Sequence, residues 1–382
     1  MKRGHHERPG LPVIVLFADA RAGPRACRSL RAAGYRPVRA WIGPAPPVPW
    51  PVRPPADLSL PDVDSARFVP AVRALCARER AVAVLPVSED ACRLLAPEWG
   101  RLDAVLVGPT EDQYRRLCHK AALAAAAREA GVPHPETAVA VGDVPLPPLP
   151  SVVKPAGSGD DARLAGAVVV RDAQERAAAV LALGRRGAEP LVQELVCGQP
   201  WSLHGVRSDA GLDAIAFRVE RTHPRDAGTS SVHRSGPAPE GLLRATERLL
   251  ADVGYRGPVS INAIERDGAF LVHDVNLRLS SSVGASIRSG LDVPALAVDA
   301  ALGRPRPPGP RRLRRITYVR TDSELRALRE GLRGGDGAPR AGRLAADLAR
   351  GALLPAWMLD PSPLDPAWLP VAAARRVARS GR

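Results

Sequence analysis

Lysine and asparagine are scarce in this chain. Its 382 residues hold Lys2, Lys120 and Lys154 as the only lysines and Asn262 and Asn276 as the only asparagines, while Arg, Ala and Pro abound. Where a chain so rarely uses a residue, its survival points to chemistry that Arg or Asp would not do. Lys154 ends an apolar run and leads into Gly157-Ser158-Gly159. Glycines there let main-chain N–H groups approach a ligand closely. Asp274 and Asn276 are two apart in HDVNLR, so on a strand both side chains face one side, and Arg278 follows on the same face. Oxygen donors spaced this way suit a hard cation such as Mg²⁺. Asn262 precedes Asp274 by twelve residues, across Asp267-Gly268, a strong short hairpin signal. Each piece alone has a plainer reading. VVKPAGSG reads equally as a strand-to-turn with a solvated lysine, HDVNLR as an edge strand, and Asp274 as the partner of a structural Arg.

The elements that must position these residues follow from periodicity. LPVIVLF (11–17), VRAW (38–41) and AVAVLPV (81–87) read as strands, with helices over 22–34, 65–79 and from Glu89 with Ser88 as cap. Strand and helix alternate as in an open α/β sheet of Rossmann type over residues 11–108. The turn after the first strand, ADARAG, lacks the GxGxxG of dinucleotide sites. Residues 43–63 are proline-rich and read as loop. Residues 110–130 predict one long helix. Residues 151–170 read as strand, glycine-bearing loop and strand, 190–198 as a strand, 212–219 as a strand, 240–253 as a helix, 258–278 as a hairpin and 291–303 as a helix. GRPRPPGPRR (303–312) reads as a linker, and the segment after it as weakly helical with a basic last helix.

Four pieces recur in a set order: Lys120 on a helix before GVPHPET, VVKPAGSG, VQELVCG with Glu194, and the hairpin with Asn262, Asp274, Asn276 and Arg278. Together they resemble the ATP-grasp superfamily, which includes biotin carboxylase, D-alanine–D-alanine ligase and the D-aspartate ligase-like carboxylate–amine ligases. The resemblance is specific over 109–303. It implies a Rossmann-like domain (11–108), a two-subdomain ATP-grasp domain (109–303, lid about 134–196, core 197–303) and a linker with a basic helical tail (304–382). It implies ATP as a substrate, with Lys120 and Lys154 on its phosphates and the backbone of Gly157, Ser158 and Gly159 beside them. Gln193, Glu194, Leu195 and Val196 match the hinge that holds adenine and ribose. Asn262, Asp274 and Asn276 match the ligands of Mg²⁺, or Mn²⁺ in its place, and Arg278 and Lys154 the catalytic cations. Two departures stand out. Asn262 replaces an acidic metal ligand, so this position brings no negative charge. A ribose carboxylate expected after Gly198 falls at Gln199 and Pro200.

The implied reaction activates a carboxylate as an acyl phosphate, which an amine or other nucleophile captures, releasing ADP and phosphate. Its partners would be small-molecule acids and amines, in the cytoplasm, with a homodimer left open. Asn262 prompts a second reading, a nucleotide-binding protein with impaired catalysis. The net charge of +14, concentrated in the Arg-rich tail, prompts a third, a nucleic-acid or membrane-surface module. No basic, aromatic-rich strand pattern supports the third. No apolar run is long enough for a membrane span. The five cysteines form no CxxC pair, which disfavours a zinc site and a disulfide framework. His204, His223, His233 and His273 read as ordinary polar or loop residues, with His273 facing away from Asp274. The Ser280–Ser282 run with Gly284 reads as a substrate loop, and Arg218, Arg221 and Arg288 as candidate anion contacts.

Overall fold

The computed structural model describes residues 10–17, 22–42, 58–63, 65–157, 166–223, 228–304, 313–334 and 337–360. Ser158 and Gly159, most of the proline-rich stretch and of the linker, and the basic last helix therefore lie outside the described residues.

Short apolar runs build a parallel sheet first. β1 (Pro12–Phe17), β2 (Arg36–Ile42), β3 (Ser59–Leu60), β4 (Ala83–Pro86) and β5 (Val105–Leu106) lie in the order β3-β2-β1-β4-β5, every pair parallel. Consecutive residues of β1 are buried on opposite faces, Val13 and Val15 in one apolar cluster and Ile14 and Leu16 in another. A sheet covered by helices on both faces requires this. The helices are α1 (Ala22–Ala32), α2 (Phe68–Glu79) and α3 (Glu89–Leu95), the last begun by Ser88, whose side chain accepts from the Ala91 N–H. Strand order reverses between β1 and β4, the point where open α/β sheets form crevices at their carboxyl ends.

The helix expected over 110–130 is two helices, α4 (Glu111–Cys118) and α5 (Lys120–Glu129), parted by His119 in an extended conformation. The break has a reason: it lets the Lys120 N–H donate to the Ala156 carbonyl at 2.9 Å. The next sheet, β6-β9-β7-β8, is small and antiparallel, built from β6 (Thr137–Val139), β7 (Ser151–Pro155), β8 (Val168–Val170) and β9 (Pro190–Glu194). α6 (Ala173–Gly184) packs on it through Val153, Val192 and Leu183.

The largest sheet has seven strands, β14-β13-β10-β11-β12-β15-β16. β10 (Gln199–Ser208), β11 (Gly211–His223), β12 (Thr229–Gly236), β13 (Gly257–Arg266) and β14 (Ala269–Asn276) are antiparallel neighbours. α7 (Glu240–Asp252) covers one face, while α8 (Val283–Arg288) and α9 (Val293–Ala301) join the other face to the parallel sheet's core. The C-terminal segment departs from its expected helical pattern. It supplies β15 (Thr317–Arg320), which pairs with β12, then α10 (Thr321–Gly334), α11 (Gly337–Leu353) and β16 (Trp357–Asp360), parallel to β15. Tyr318 and Val319 are buried, so this segment completes the sheet. Its strands are only four residues long, and β15 follows an arginine pair, which hides them from periodicity.

Candidate active site

The hairpin β13–β14 turns at Asp267-Gly268, both with positive φ (52° and 79°), as a two-residue turn of this type needs. The register that this turn sets would place His273 opposite Asn262. Instead Ala263 pairs with Val272 and Asn262 with Asp274, leaving His273 as the extra residue of a β-bulge. The consequence is chemical. Val272 and Val275 both enter the apolar cluster under the sheet. Strict alternation would put Asp274 on Val272's side, and the bulge returns it to the opposite face with Asn262 and Asn276.

On that face the three side chains converge. Asn262 Nδ2 donates to Asp274 Oδ2 at 3.0 Å, and Asn276 Nδ2 donates to the same oxygen at 2.9 Å. Arg278 Nη2 donates to Asn276 Oδ1 at 3.1 Å, which fixes that amide with its nitrogen toward Asp274. One carboxylate oxygen, Oδ2, thus takes both amides. Burial pushes the Asp274 carboxyl up, but Lys120, His273 and Lys154 together with the Asn262 amide outweigh it and hold it below the ordinary range. Burial, and then Lys154, push His273 down to about 4, so it is neutral at pH 7.

Both internal lysines reach the same place. Lys154 is the last residue but one of β7, is 8% exposed, and donates through Nζ to Gln193 Oε1 at 2.8 Å. Gln193 Nε2 donates to Thr137 Oγ1 at 2.9 Å, so the glutamine is locked with its oxygen toward the lysine. Lys120 Nζ donates to the Gly157 carbonyl at 2.9 Å. Among the described residues, both lysines rest on neutral oxygens. Burial and then the like charge of Lys120 push Lys154 down to about 8, with Asp274 only partly opposing them. Uncompensated positive charge beside a carboxylate and a glycine-bearing turn fits a polyphosphate with its metal. A metal ion fits only in part: Asp274 is the single carboxylate among the three, and no group of three His, Cys, Asp or Glu suited to a metal occurs among the described residues.

The expected hinge residues already hold partners in the fold. Gln193 is engaged with Lys154. Glu194 accepts from Arg266 Nη1 at 2.6 Å and from the Glu136 N–H at 3.2 Å, tying the small sheet to the hairpin, and the Arg266 bond chiefly holds its carboxyl below the usual range. Leu195 and Val196 follow β9, Val196 buried. Gly198 is obligatory: a Cβ there would stand 2.2 Å from the Glu265 carbonyl oxygen.

Sequence reasoning missed Glu89. It stands at the start of α3, beyond the carboxyl end of β4, and accepts from Arg278 Nε at 2.6 Å and from the Tyr114 hydroxyl at 2.9 Å. Its place beside the reversal of strand order is the signal that would have found it. Other candidates go elsewhere. Arg221 pairs with Asp347 and Glu324, and Arg288 donates to the Pro355 carbonyl. Arg218 is exposed near Glu220. His204 and His233 are not loop residues but lie in a buried row with Phe217 and Tyr318, the rings 4.6–4.8 Å apart. Ser280 and Ser282 bond to each other at 3.0 Å ahead of α8.

No family model matches this sequence, and no curated protein matches it. Solved structures do. Carboxyaminoimidazole ribonucleotide synthase from Aspergillus clavatus, complexed with ATP, is similar with a TM-score of 0.65 at 14% identity, over 85% of this chain and 86% of that one. Biotin carboxylase from Campylobacter jejuni gives 0.63 at 15%, over 81% and 75%. The L-amino acid ligase of Bacillus licheniformis gives 0.61 at 14%, over 77% and 75%. Parallel sheet, small antiparallel sheet and large, mainly antiparallel sheet, in this order, give the chain the ATP-grasp fold.

Proposed function

We propose that this chain is an ATP-dependent carboxylate–amine ligase acting on small molecules in the cytoplasm. One observation carries the reading: Lys120 and Lys154, from two different elements, reach the face that bears Asp274, and among the described residues each is bonded to a neutral oxygen. Such cations gain most when a triphosphate arrives. Lys120 and Lys154 bind and orient its phosphates, with the Gly157 turn beside them, and the segment Glu194–Val196 meets the base and sugar. Asp274, with Asn262 and Asn276 around it, would hold Mg²⁺, which neutralises phosphate charge when bound. Arg278 stabilises the charge on the transferring phosphoryl group as the substrate carboxylate attacks. The amine then displaces phosphate from the acyl phosphate.

Calorimetry with MgADP, followed by ADP release across a panel of carboxylic acids with and without amines, tests this. Binding together with acid- and amine-dependent release is expected. A chain that binds MgADP but releases no ADP with any acid fits the impaired-catalysis reading, which the single carboxylate at the metal position favours. A chain that binds no nucleotide overturns both.

A further inference from the structure

We infer that Glu89, contributed by the parallel-sheet half of the molecule, is the positioning residue for Arg278, so the phosphoryl-facing guanidinium is aimed from outside the hairpin that carries it. The inference rests on the ligase reading of the site.

The geometry is specific. Every edge of the Arg278 guanidinium is directed: Nε to Glu89 Oε2 at 2.6 Å, Nη1 to the Leu279 carbonyl at 3.0 Å, and Nη2 to Asn276 Oδ1 at 3.1 Å. The acid is itself held. The Tyr114 hydroxyl donates to Glu89 Oε1, and the Glu89 side chain is 11% exposed against 21% for Arg278. Burial and then the Glu89 carboxylate keep Tyr114 a neutral phenol, hence a donor. A hydrogen-bonded chain therefore links Tyr114 on α4 and Arg278, both donating to Glu89 on α3, with Arg278 donating in turn to Asn276 and Asn276 to Asp274. An arginine on the loop after a strand has many rotamers, and the bond to Glu89 comes from outside its own strand and its own neighbour. Charge-assisted bonds of this length fix direction as well as distance. The same bond keeps Arg278 from collapsing onto Asp274, which would neutralise the carboxylate left for a cation.

A tie that merely holds two halves together would predict a different response to substitution. The test is calorimetric binding of MgADP alone and of MgADP with fluoroaluminate, a mimic of the transferring phosphoryl group. Wild type should bind the second at least about tenfold more tightly than the first. Arg278→Ala, Glu89→Ala and the double variant should lose that gain to the same extent, while for Glu89→Ala affinity for MgADP alone stays within about twofold. Two further variants separate aim from charge. Glu89→Asp keeps the charge but is one methylene short and should lose the gain; Glu89→Gln keeps the reach and an acceptor for Arg278 and should retain most of it. Retention by Glu89→Asp with loss by Glu89→Gln would overturn the inference, since charge alone would then matter. A gain that depends on Arg278 and is untouched by every Glu89 variant would also overturn it, leaving the ligase reading intact. Wild type that binds no MgADP would end the ligase reading and the inference with it.

Discussion

The two ends of the seven-stranded sheet treat buried cations in opposite ways. At the β13–β14 end, Lys154 and Lys120 rest on an amide oxygen and a main-chain carbonyl. At the β15–β16 end, Arg25 of α1 meets both oxygens of the 2%-exposed Asp360, at 2.5 and 2.6 Å, and the Tyr318 hydroxyl donates to the same carboxylate. Arg221 is likewise closed against Asp347 and Glu324. A cation matched to a carboxylate is committed to architecture. A cation left on neutral oxygens carries charge that a ligand can take up. Arg278 stands between the two, bonded to a carboxylate on one side and to an amide on the other.

Breaking the closed end should cost the most stability. Asp360→Ala leaves Arg25 buried without its carboxylate, and we expect a loss of about 3–5 kcal/mol in urea unfolding. MgADP affinity measured under folding conditions should be unchanged. A loss under 1 kcal/mol, on the order of a surface pair, would show that the pair does not hold the C-terminal strand.

Breaking the open end should do the reverse. Lys154→Met should cost ~1.5–3 kcal/mol in MgADP affinity, the scale of a hydrogen bond to a charged group. Stability should hold or rise, because the substitution removes a buried ammonium that lacks a carboxylate bond. Affinity within about twofold of wild type would take Lys154 out of the site.

The same contrast can be sharpened with pH. Lys154 titrates near 8 in the fold, below its ordinary value of 10.5. Nucleotide affinity should fall as pH rises through 8, up to about tenfold per unit if bound phosphate requires the charged form. Stability of the free protein should rise over 8 to 10.5, since the unfolded chain then binds a proton that the folded chain has already released. Calorimetry in buffers of different ionisation enthalpy should register proton uptake on binding near pH 8. Opposite slopes for affinity and stability are the signature; parallel slopes would refute it.

The smallest effect concerns the buried row between the two ends. Burial pushes His204 down to about 3 and His233 well below its ordinary range. Above pH 6.5 both states are neutral there. Below it the unfolded chain takes up protons that the fold refuses, so stability should fall at up to about 1.4 kcal/mol per pH unit per histidine. His204→Phe should flatten that slope between pH 6 and 4.

These regions were legible in the sequence to different degrees, for physical reasons. β1, β4 and the hairpin declare themselves because burial on both faces, or a turn that demands positive φ, leaves local marks such as VIVLF and Asp267-Gly268. Lys120, Lys154, Asn262, Asp274 and Asn276 were visible by rarity and spacing. Glu89 was not, because its partner Arg278 is 189 positions away. The two lysines' acceptors, Gln193 and the Gly157 carbonyl, were equally hidden, since side-chain partners depend on packing. β15 and β16 escaped because β-pairing at a sheet edge asks little of a four-residue sequence. The split at His119 escaped because the Ala-rich stretch has high helix propensity, and a tertiary bond to Ala156 overrides it.

The extra residue at His273 has an arithmetic consequence. A strand is a two-state counter: each residue added or removed exchanges inside for outside for everything beyond it. From Arg266–Ala269 to Ala263–Val272 the count is regular, and one increment at His273 resets it for Asp274, Asn276 and Arg278 together. The reactive triplet is therefore set by a single insertion rather than by three separate choices. Forcing His273 into regular pairing opposite Asn262 would mend the ladder, turn the carboxylate into the apolar layer and present valine to the phosphates. The better-paired sheet would be the one without a site.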